Sequence, residues 1–486
     1  MEKYIIVFDI QKMKMNYIKT GVSLIVLLIT SFCTKAQSVA NRLDSLMLAL
    51  HVRGQFNGSI LVAANGKMIY EKAYGKADVS GNEDFTTSTP CYLASVSKQF
   101  TAMGIMVLAE KGLLDYNDPL SKYFPEFPSY AQTVTIRHLL NHTSGIIDYE
   151  RLGIDGLGLT NKDVLDNLIK QPALRFKPGD KYEYSNSGYV LLAMIIEKVS
   201  GMSFSEFMEK HIFQPLGMHN SFVYDKATPR AKVREKAYGK FNDISQYWGG
   251  AVGDGGIFSS ADDLFKWDAA LYGGTLISQA TLRQAFSPAI LNNGKLSPYG
   301  FGWMLKNENG EQIAYHTGGS GGFRTFIERQ LTHRNTIIIL TNIENSPRTE
   351  IRNAIVNILA NKPYTLPKIS IGTVMFKIRN EDGIDSAINF YNFNTLRRRD
   401  TYDFGEQELN LLGYKLWSIK KIDEAVAIFK LNTTVYPGSS NTYESLGEAY
   451  LERGDKQMAT ESFNKSLSID PQNSDAIRKL KKINNQ

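Results

Sequence analysis

The sequence predicts an α/β chain in two parts: a mixed sheet with helices packed around it, followed by an all-α module of repeated helix pairs. Three observations carry this prediction. Strand patterns stand at both ends of a region of about 320 residues, with helical patterns between them. The two ends therefore close one sheet and the middle forms a separate helical part. Gln99 to Glu110 is apolar on nearly every side, which places that helix inside a domain. Near the C-terminus, Leu412, Gly413, Ala425, Phe429 and Pro437 recur as Leu446, Gly447, Ala459, Phe463 and Pro471, each pair 34 residues apart.

Bulk composition bounds the function. At 486 residues the chain suits two or three domains, and its 43% hydrophobic and 21% charged residues are those of a folded protein. A net charge of +6 is small for this length. The densest basic run, Leu396-Arg397-Arg398-Arg399, is short, so nucleic-acid binding has little support.

The N-terminus reads as a targeting segment. Lys12, Lys14 and Lys19 precede the apolar run Val22 to Cys33, and Thr34-Lys35-Ala36-Gln37 follows. A basic stretch, a short apolar core and a small residue before the break describe a secretory signal peptide over residues 1–37. The run is too short for a membrane span, so no transmembrane segment is expected in the mature chain. Export to the periplasm or the extracellular space follows. Met13 or Met15 would make a more typical start than Met1. A lipid anchor at Cys33 is disfavoured by the bulky Phe32 before it. Cys91 is the one other cysteine, so the mature chain has no intrachain disulfide, and Cys91 reads as a small apolar core residue.

Val39 to His51 has helical spacing. Gly58–Ala63 and Lys67–Lys72 read as strands joined by the turn Asn65-Gly66. From Tyr116 to Leu216 the pattern is mostly helical, with an apolar helix from Val190 to Val199. Gly249 to Gly256 holds five glycines in eight residues and reads as a close-approach loop, followed by an N-cap at Ser259-Ser260. Strands are expected again at Phe301–Leu305, Gln312–His316, Phe323–Arg329 and Thr336–Thr341, then a helix from Arg348 to Ala360. The expected domains are 38–361 for the sheet part, 362–403 for a linker with a degenerate half repeat, and 404–486 for two repeats. Their period is that of tetratricopeptide helix pairs. Two repeats fall short of the three usually needed for stability, so the module is expected to lean on the rest of the chain or on a protein partner.

Chemistry enters at Ser95-Val96-Ser97-Lys98. Residues three apart share one face of a helix. Lys98 can then take a proton from Ser95, while the unpaired N–H groups of a helix start can hold an oxyanion. The pattern alone is weak, because Ser418-Ile419-Lys420-Lys421 matches it too, in a stretch read as a structural helix. Two other stretches supply partners for Ser95. Tyr184-Ser185-Asn186 offers a second proton carrier and an amide. His316-Thr317-Gly318-Gly319, at a strand end, lets substrate lie against bare backbone.

Ser-x-x-Lys, then Tyr-x-Asn, then a basic residue-Thr-Gly, in this order, resembles the penicillin-recognising serine hydrolases, in particular the class C β-lactamase, D-alanyl-D-alanine carboxypeptidase and esterase branch. Leu139–Gly145, Phe176–Gly179, Pro215–Met218, Gly255–Ser260 and Tyr299–Trp303 agree with it. The resemblance implies a β-lactamase/transpeptidase-like fold: a mostly antiparallel sheet flanked by helices, plus an all-helical subdomain. It implies that Ser95 is acylated, that Lys98 and Tyr184 share the base and acid roles, and that Asn186 positions substrate. His316, Thr317 and Gly318 would line the substrate site, and the N–H groups of Ser95 and Gly319 would form the oxyanion hole. No cofactor or metal is implied, and no His-Glu-x-x-His occurs.

One departure weakens the substrate assignment. His316 stands where the β-lactamases and carboxypeptidases of this family usually carry lysine. If His316 binds a carboxylate only when protonated, activity on carboxylate substrates should rise from pH 8 to 6. Arg324 could supply a charge, though it also reads as an ordinary strand-edge arginine. The expected function is an exported serine hydrolase acting on an ester or amide, with β-lactams and D-amino-acid peptides as candidate substrates. The competing reading is a penicillin-binding sensor or scaffold that acylates slowly while its repeats dock a partner.

Overall fold

Asn65 and Gly66 take positive φ values of 52° and 73° and fold β1 (Gly58–Ala64) back onto β2 (Lys67–Tyr74). An Asn-Gly pair tolerates that conformation and matches the twist of the strands it joins. The structure, a computed structural model, describes residues 38–79, 81, 83–154, 158–225, 236–241, 243–245 and 250–484. The expected signal peptide and Cys33 lie outside the described residues.

The hairpin completes a sheet made at the far end of the domain by β3 (Met304–Glu308), β4 (Glu311–Ser320), β5 (Phe323–Gln330) and β6 (Asn335–Thr341). The order is β2-β1-β6-β5-β4-β3, antiparallel throughout. Strand alternation sorts its side chains into two cores. Leu61, Ala63, Ile327, Ile338 and Leu340 face the central helix α2 (Lys98–Glu110). Ile60, Val62, Phe326, Ile337 and Ile339 face α1 (Val39–Val52), which contributes Leu43, Leu46, Met47 and Leu50. The last helix of the domain, α4 (Arg348–Leu359), covers the same face with Ile351, Ile355 and Ile358. Each such side chain, fully buried, stabilises the fold by roughly 1.5–3 kcal/mol.

Helix α3 (Asn186–Ser200) packs on α2 so closely that a Cβ on Gly104 would lie 2.7 Å from Ile196 Cδ1. Two buried ion pairs brace the sheet against its helices: Arg329 with Asp268 at 2.5 Å, and Arg352 with Glu328 at 2.8 Å. The strand expected at Phe301–Leu305 starts later, at Met304, because Gly300 to Trp303 bend against the start of α2. Gly302 has φ 78°, and a Cβ there would meet the Lys98 carbonyl at 2.8 Å.

The C-terminal part is all α. Its helices are α5 (Ile371–Asp382), α6 (Ile384–Asn394), α7 (Glu406–Ser418), α8 (Ile422–Val435), α9 (Ser440–Arg453), α10 (Lys456–Ile469) and α11 (Ser474–Asn484). The 34-residue offset has a packing cause. Gly413 and Gly447 lie under the rings of Phe429 and Phe463, where a Cβ would come within 2.5 and 2.7 Å of the ring. Residues 371–394, expected to be part of a linker with a half repeat, are two full helices. Their Ile371, Met375, Ala387 and Tyr391 share the core of the repeats. The module rests on the sheet domain through the Lys240–Glu408 ion pair at 2.8 Å and through Phe241 against Phe376, ring centroids 5.3 Å apart. Beside this contact lies a cavity of about 900 Å³, bordered by Gln55, Glu350, Asn357 and Glu408 among others. None of the motif residues lines it. Among the described residues, no helix is long and apolar enough to cross a membrane.

Candidate active site

Ser95 lies in a 3-10 turn, Ala94–Ser97, that leads directly into α2. Ala94 is held at φ 48°, a left-handed conformation uncommon for a residue with a side chain. Lys98 is the first residue of α2 and is fully enclosed. Its ammonium donates to Ser95 Oγ at 3.3 Å, Asn186 Oδ1 at 2.8 Å and the main-chain oxygen of Asp254 at 2.7 Å. Burial pulls its pKa down to about 8, against the opposing charges of Asp254, Asp148 and Glu150.

Tyr184 faces the same lysine, with Nζ 4.9 Å from its ring centroid. Burial raises its pKa; the Ser95 hydroxyl pulls the other way. The enclosed Tyr184 hydroxyl nevertheless completes no hydrogen bond of ordinary geometry. Ser185 Oγ and His142 Nε2 beside it are also buried without partners. Buried polar groups are nearly always satisfied, so three orphans in one place mark a site rather than a packing core. Asn186 begins α3, which fixes its amide against Lys98.

The third motif lies on β4. β3 reaches only Tyr315, so among the described residues the segment from His316 to Ser320 has no strand partner on that edge, and it runs past the Ser95 turn. Gly318 is essential to this approach, since a Cβ there would come within 2.1 Å of the Leu93 carbonyl. Thr325, opposite Gly318 on β5, donates to the same carbonyl at 2.7 Å. Gly319 is the next residue along that open edge.

His316 is buried and doubly held. Its Nδ1 is 2.7 Å from the Thr317 carbonyl, which can only accept, so Nδ1 carries the proton. Nε2 then accepts from the Tyr299 hydroxyl at 2.8 Å. Burial and nearby Lys98 push its pKa down to about 3. The expected protonation of His316 between pH 8 and 6 therefore does not fit its surroundings. Arg324 lies over Gly319, donates to the Phe323 carbonyl and faces Glu344 at 3.8 Å.

The structure thus brings Ser95, Lys98, Tyr184, Asn186 and His316 into one cluster, with Thr317, Gly318 and Gly319 along its edge. It also adds residues to which the sequence assigned no role. Tyr299 holds His316, and the Ser185 N–H donates to His142 Nδ1 at 3.1 Å. Asp254 contacts Lys98, and Asp148 accepts from the Asn186 N–H at 2.6 Å. His142 and Tyr299 stand inside motifs already visible, and Asp254 stands in the glycine-rich loop. Asp148 had no signal. No group of three or more metal-ligating side chains occurs among the described residues.

The beta-lactamase family profile matches residues 44–362, and a tetratricopeptide repeat profile matches residues 440–473. The chain belongs to the beta-lactamase family. Within that family it is 39% identical over 357 residues to Penicillin-binding protein 4* of Bacillus subtilis, covering 68% of this chain and 78% of that one. A solved structure, the octameric penicillin-binding protein homologue from Pyrococcus abyssi, superposes with a TM-score of 0.59 at 28% identity, over 69% of this chain and 81% of the other. The D-amino acid amidase of Ochrobactrum anthropi superposes with a TM-score of 0.57 at 25% identity, over 66% and 98%. The sheet domain is thus a β-lactamase/transpeptidase-like fold, a serine hydrolase scaffold, with tetratricopeptide helices behind it.

Proposed function

We propose that this protein is an exported serine hydrolase that opens an ester or amide through an acyl-enzyme on Ser95. The enclosure of Lys98 against Ser95 Oγ carries the reading. With a pKa near 8, roughly a tenth of Lys98 is neutral at pH 7 and able to accept a proton. Ser95 Oγ attacks the substrate carbonyl and passes its proton to Lys98. The N–H groups of Ser95 and Gly319 hold the tetrahedral oxyanion. Lys98, through Tyr184, returns the proton to the leaving oxygen or nitrogen as the carbonyl re-forms. Water then attacks the ester on Ser95, the same groups carry its proton, and the acid and free enzyme are released.

The neutral His316 shapes the choice of substrate. It offers no permanent cation to a substrate carboxylate, so uncharged esters and amides are favoured over substrates anchored by one. A D-amino acid amidase among the structural relatives supports an amide. The name of the Bacillus relative supports β-lactam acylation and keeps a second reading alive, a slow-acylating sensor whose repeats dock a protein. Kinetic constants on a short-chain ester, a D-Ala-D-Ala peptide and a chromogenic cephalosporin decide between them. Turnover of the ester with kcat/KM above that of the other two is expected. Acylation by cephalosporin without turnover of any of the three would refute the hydrolase reading in favour of the sensor.

A further inference from the structure

Lys98 gives one hydrogen to the nucleophile and the other two to Asn186 Oδ1 and the Asp254 carbonyl. Both of these acceptors have holders, and the holders are neighbours in the chain. Asp148 Oδ2 accepts from the Asn186 N–H at 2.6 Å. Tyr149 donates its hydroxyl proton to Asp254 Oδ2 at 2.9 Å. The Asp148-Tyr149 pair is itself fixed: Asp148 Oδ1 caps the 3-10 turn Tyr149–Leu152 through the Glu150 N–H, and the Tyr149 N–H donates to Ser187 Oγ at 2.8 Å. Asp254 is wedged in place by its glycines. A Cβ on Gly253 would lie 2.4 Å from the Tyr189 carbonyl, and one on Gly255 would lie 2.7 Å from Tyr92 Oη. Asp148, Tyr149 and Asp254 are all buried.

We propose that Asp148, Tyr149 and Asp254 form a positioning unit that fixes two of the three acceptors of Lys98 and supplies the negative charge that keeps it a proton carrier. This rests on the serine hydrolase reading above. An enclosed lysine without such charge falls to a pKa of roughly 5–6 and is then too weak a base to draw a proton from serine. The other titratable groups around Lys98 are His142, His316, Tyr184, Tyr189 and Glu150. Burial keeps both histidines and both tyrosines neutral at pH 7 to 8. The compensating charge therefore comes from the acids. Asp254 is pushed up by burial and drawn back by Lys98 and the Tyr149 hydroxyl.

The test is the rate of Ser95 labelling by a fluorophosphonate between pH 5 and 9, on the full chain. The wild-type rate should rise with pH through a limb near 8. Asp254→Asn should move that limb about one unit toward acid. Asp148→Asn keeps an acceptor for the Asn186 N–H and should move it the same way by less. A limb that stays put in folded Asp254→Asn overturns the proposal. If that variant does not fold, an unmoved limb in Asp148→Asn does so. If neither folds, the wild type decides: a limb above pH 7 supports the proposal and one below overturns it. Absence of wild-type labelling would instead overturn the hydrolase reading itself.

Discussion

Ser95 and Ser418 each stand three residues before a lysine, in two regions that use the pattern differently. Ser95 and Lys98 share one continuous turn entering α2, and Lys98 is sealed from water. Ser418 ends α7 and Lys421 precedes α8, with Lys420 at φ 62° between them. The second match is an inter-helix corner rather than the helix its sequence suggested. Both of its ends are exposed, and Ser418 Oγ donates to the Lys415 carbonyl. A serine three residues from a lysine becomes a nucleophile-base pair only when the backbone keeps both on one turn and the surroundings strip the lysine of solvent. Desolvation is what lowers a lysine into working range.

The largest effect expected from breaking the comparison is at the nucleophiles. Ser95→Ala should reduce ester hydrolysis at least about a thousandfold and abolish fluorophosphonate labelling, while Ser418→Ala changes neither. Labelling that persists in Ser95→Ala would show the wrong serine has been chosen. Next come the lysines. Lys98→Arg keeps a cation that cannot deprotonate, and kcat should drop about a hundred- to ten-thousandfold, with Lys421→Arg silent. Equal kcat in wild type and Lys98→Arg would remove Lys98 from proton transfer.

Two glycines sharpen the contrast further. Gly318→Ala drives a methyl into the Leu93 carbonyl, so β4 must move off the Ser95 turn and kcat should fall about a hundredfold. Gly413→Ala meets the Phe429 ring and should cost about 1–3 kcal/mol, seen in thermal unfolding, with the labelling rate kept. Loss of labelling in folded Gly413→Ala would tie the two regions together. The smallest effect is at His316. Its buried ring is neutral above pH 6, so His316→Gln should leave the pH 6–8 segment of the rate profile the same in shape, within about twofold. The disappearance of a limb near pH 6.5 would show that His316 titrates there after all.

Much of this was legible in the sequence because it was written in local spacing. Asn65-Gly66 announced its hairpin, and the 34-residue offset announced the repeated helix pairs. The three motifs carried their order along the chain. What stayed hidden depends on contacts between distant segments. Asp148 meets Asn186, and Tyr149 meets Asp254, across gaps that no period marks. The neutrality of His316 is set by burial and by nearby Lys98, neither of which its own motif encodes. Helices α5 and α6 were legible only as a degenerate half repeat, because Ala387 and Tyr391 keep the repeat's residue types at a slipped spacing.

The pairing of β1 with β6 joins Ser59 to Leu340, roughly 280 residues later. Until the last strand of the domain has been made, the edge of β1 that pairs with β6 stays open, although α1 and α2 already stand ready to cover its two faces. Contacts of such long range are reached slowly, whereas the helix pairs behind the domain close over a few tens of residues. Acquisition of the native state should therefore be limited by the return of the N-terminal hairpin to its partner. A newly made chain is most prone to aggregate during that wait, through the unpaired edges of β1 and β6.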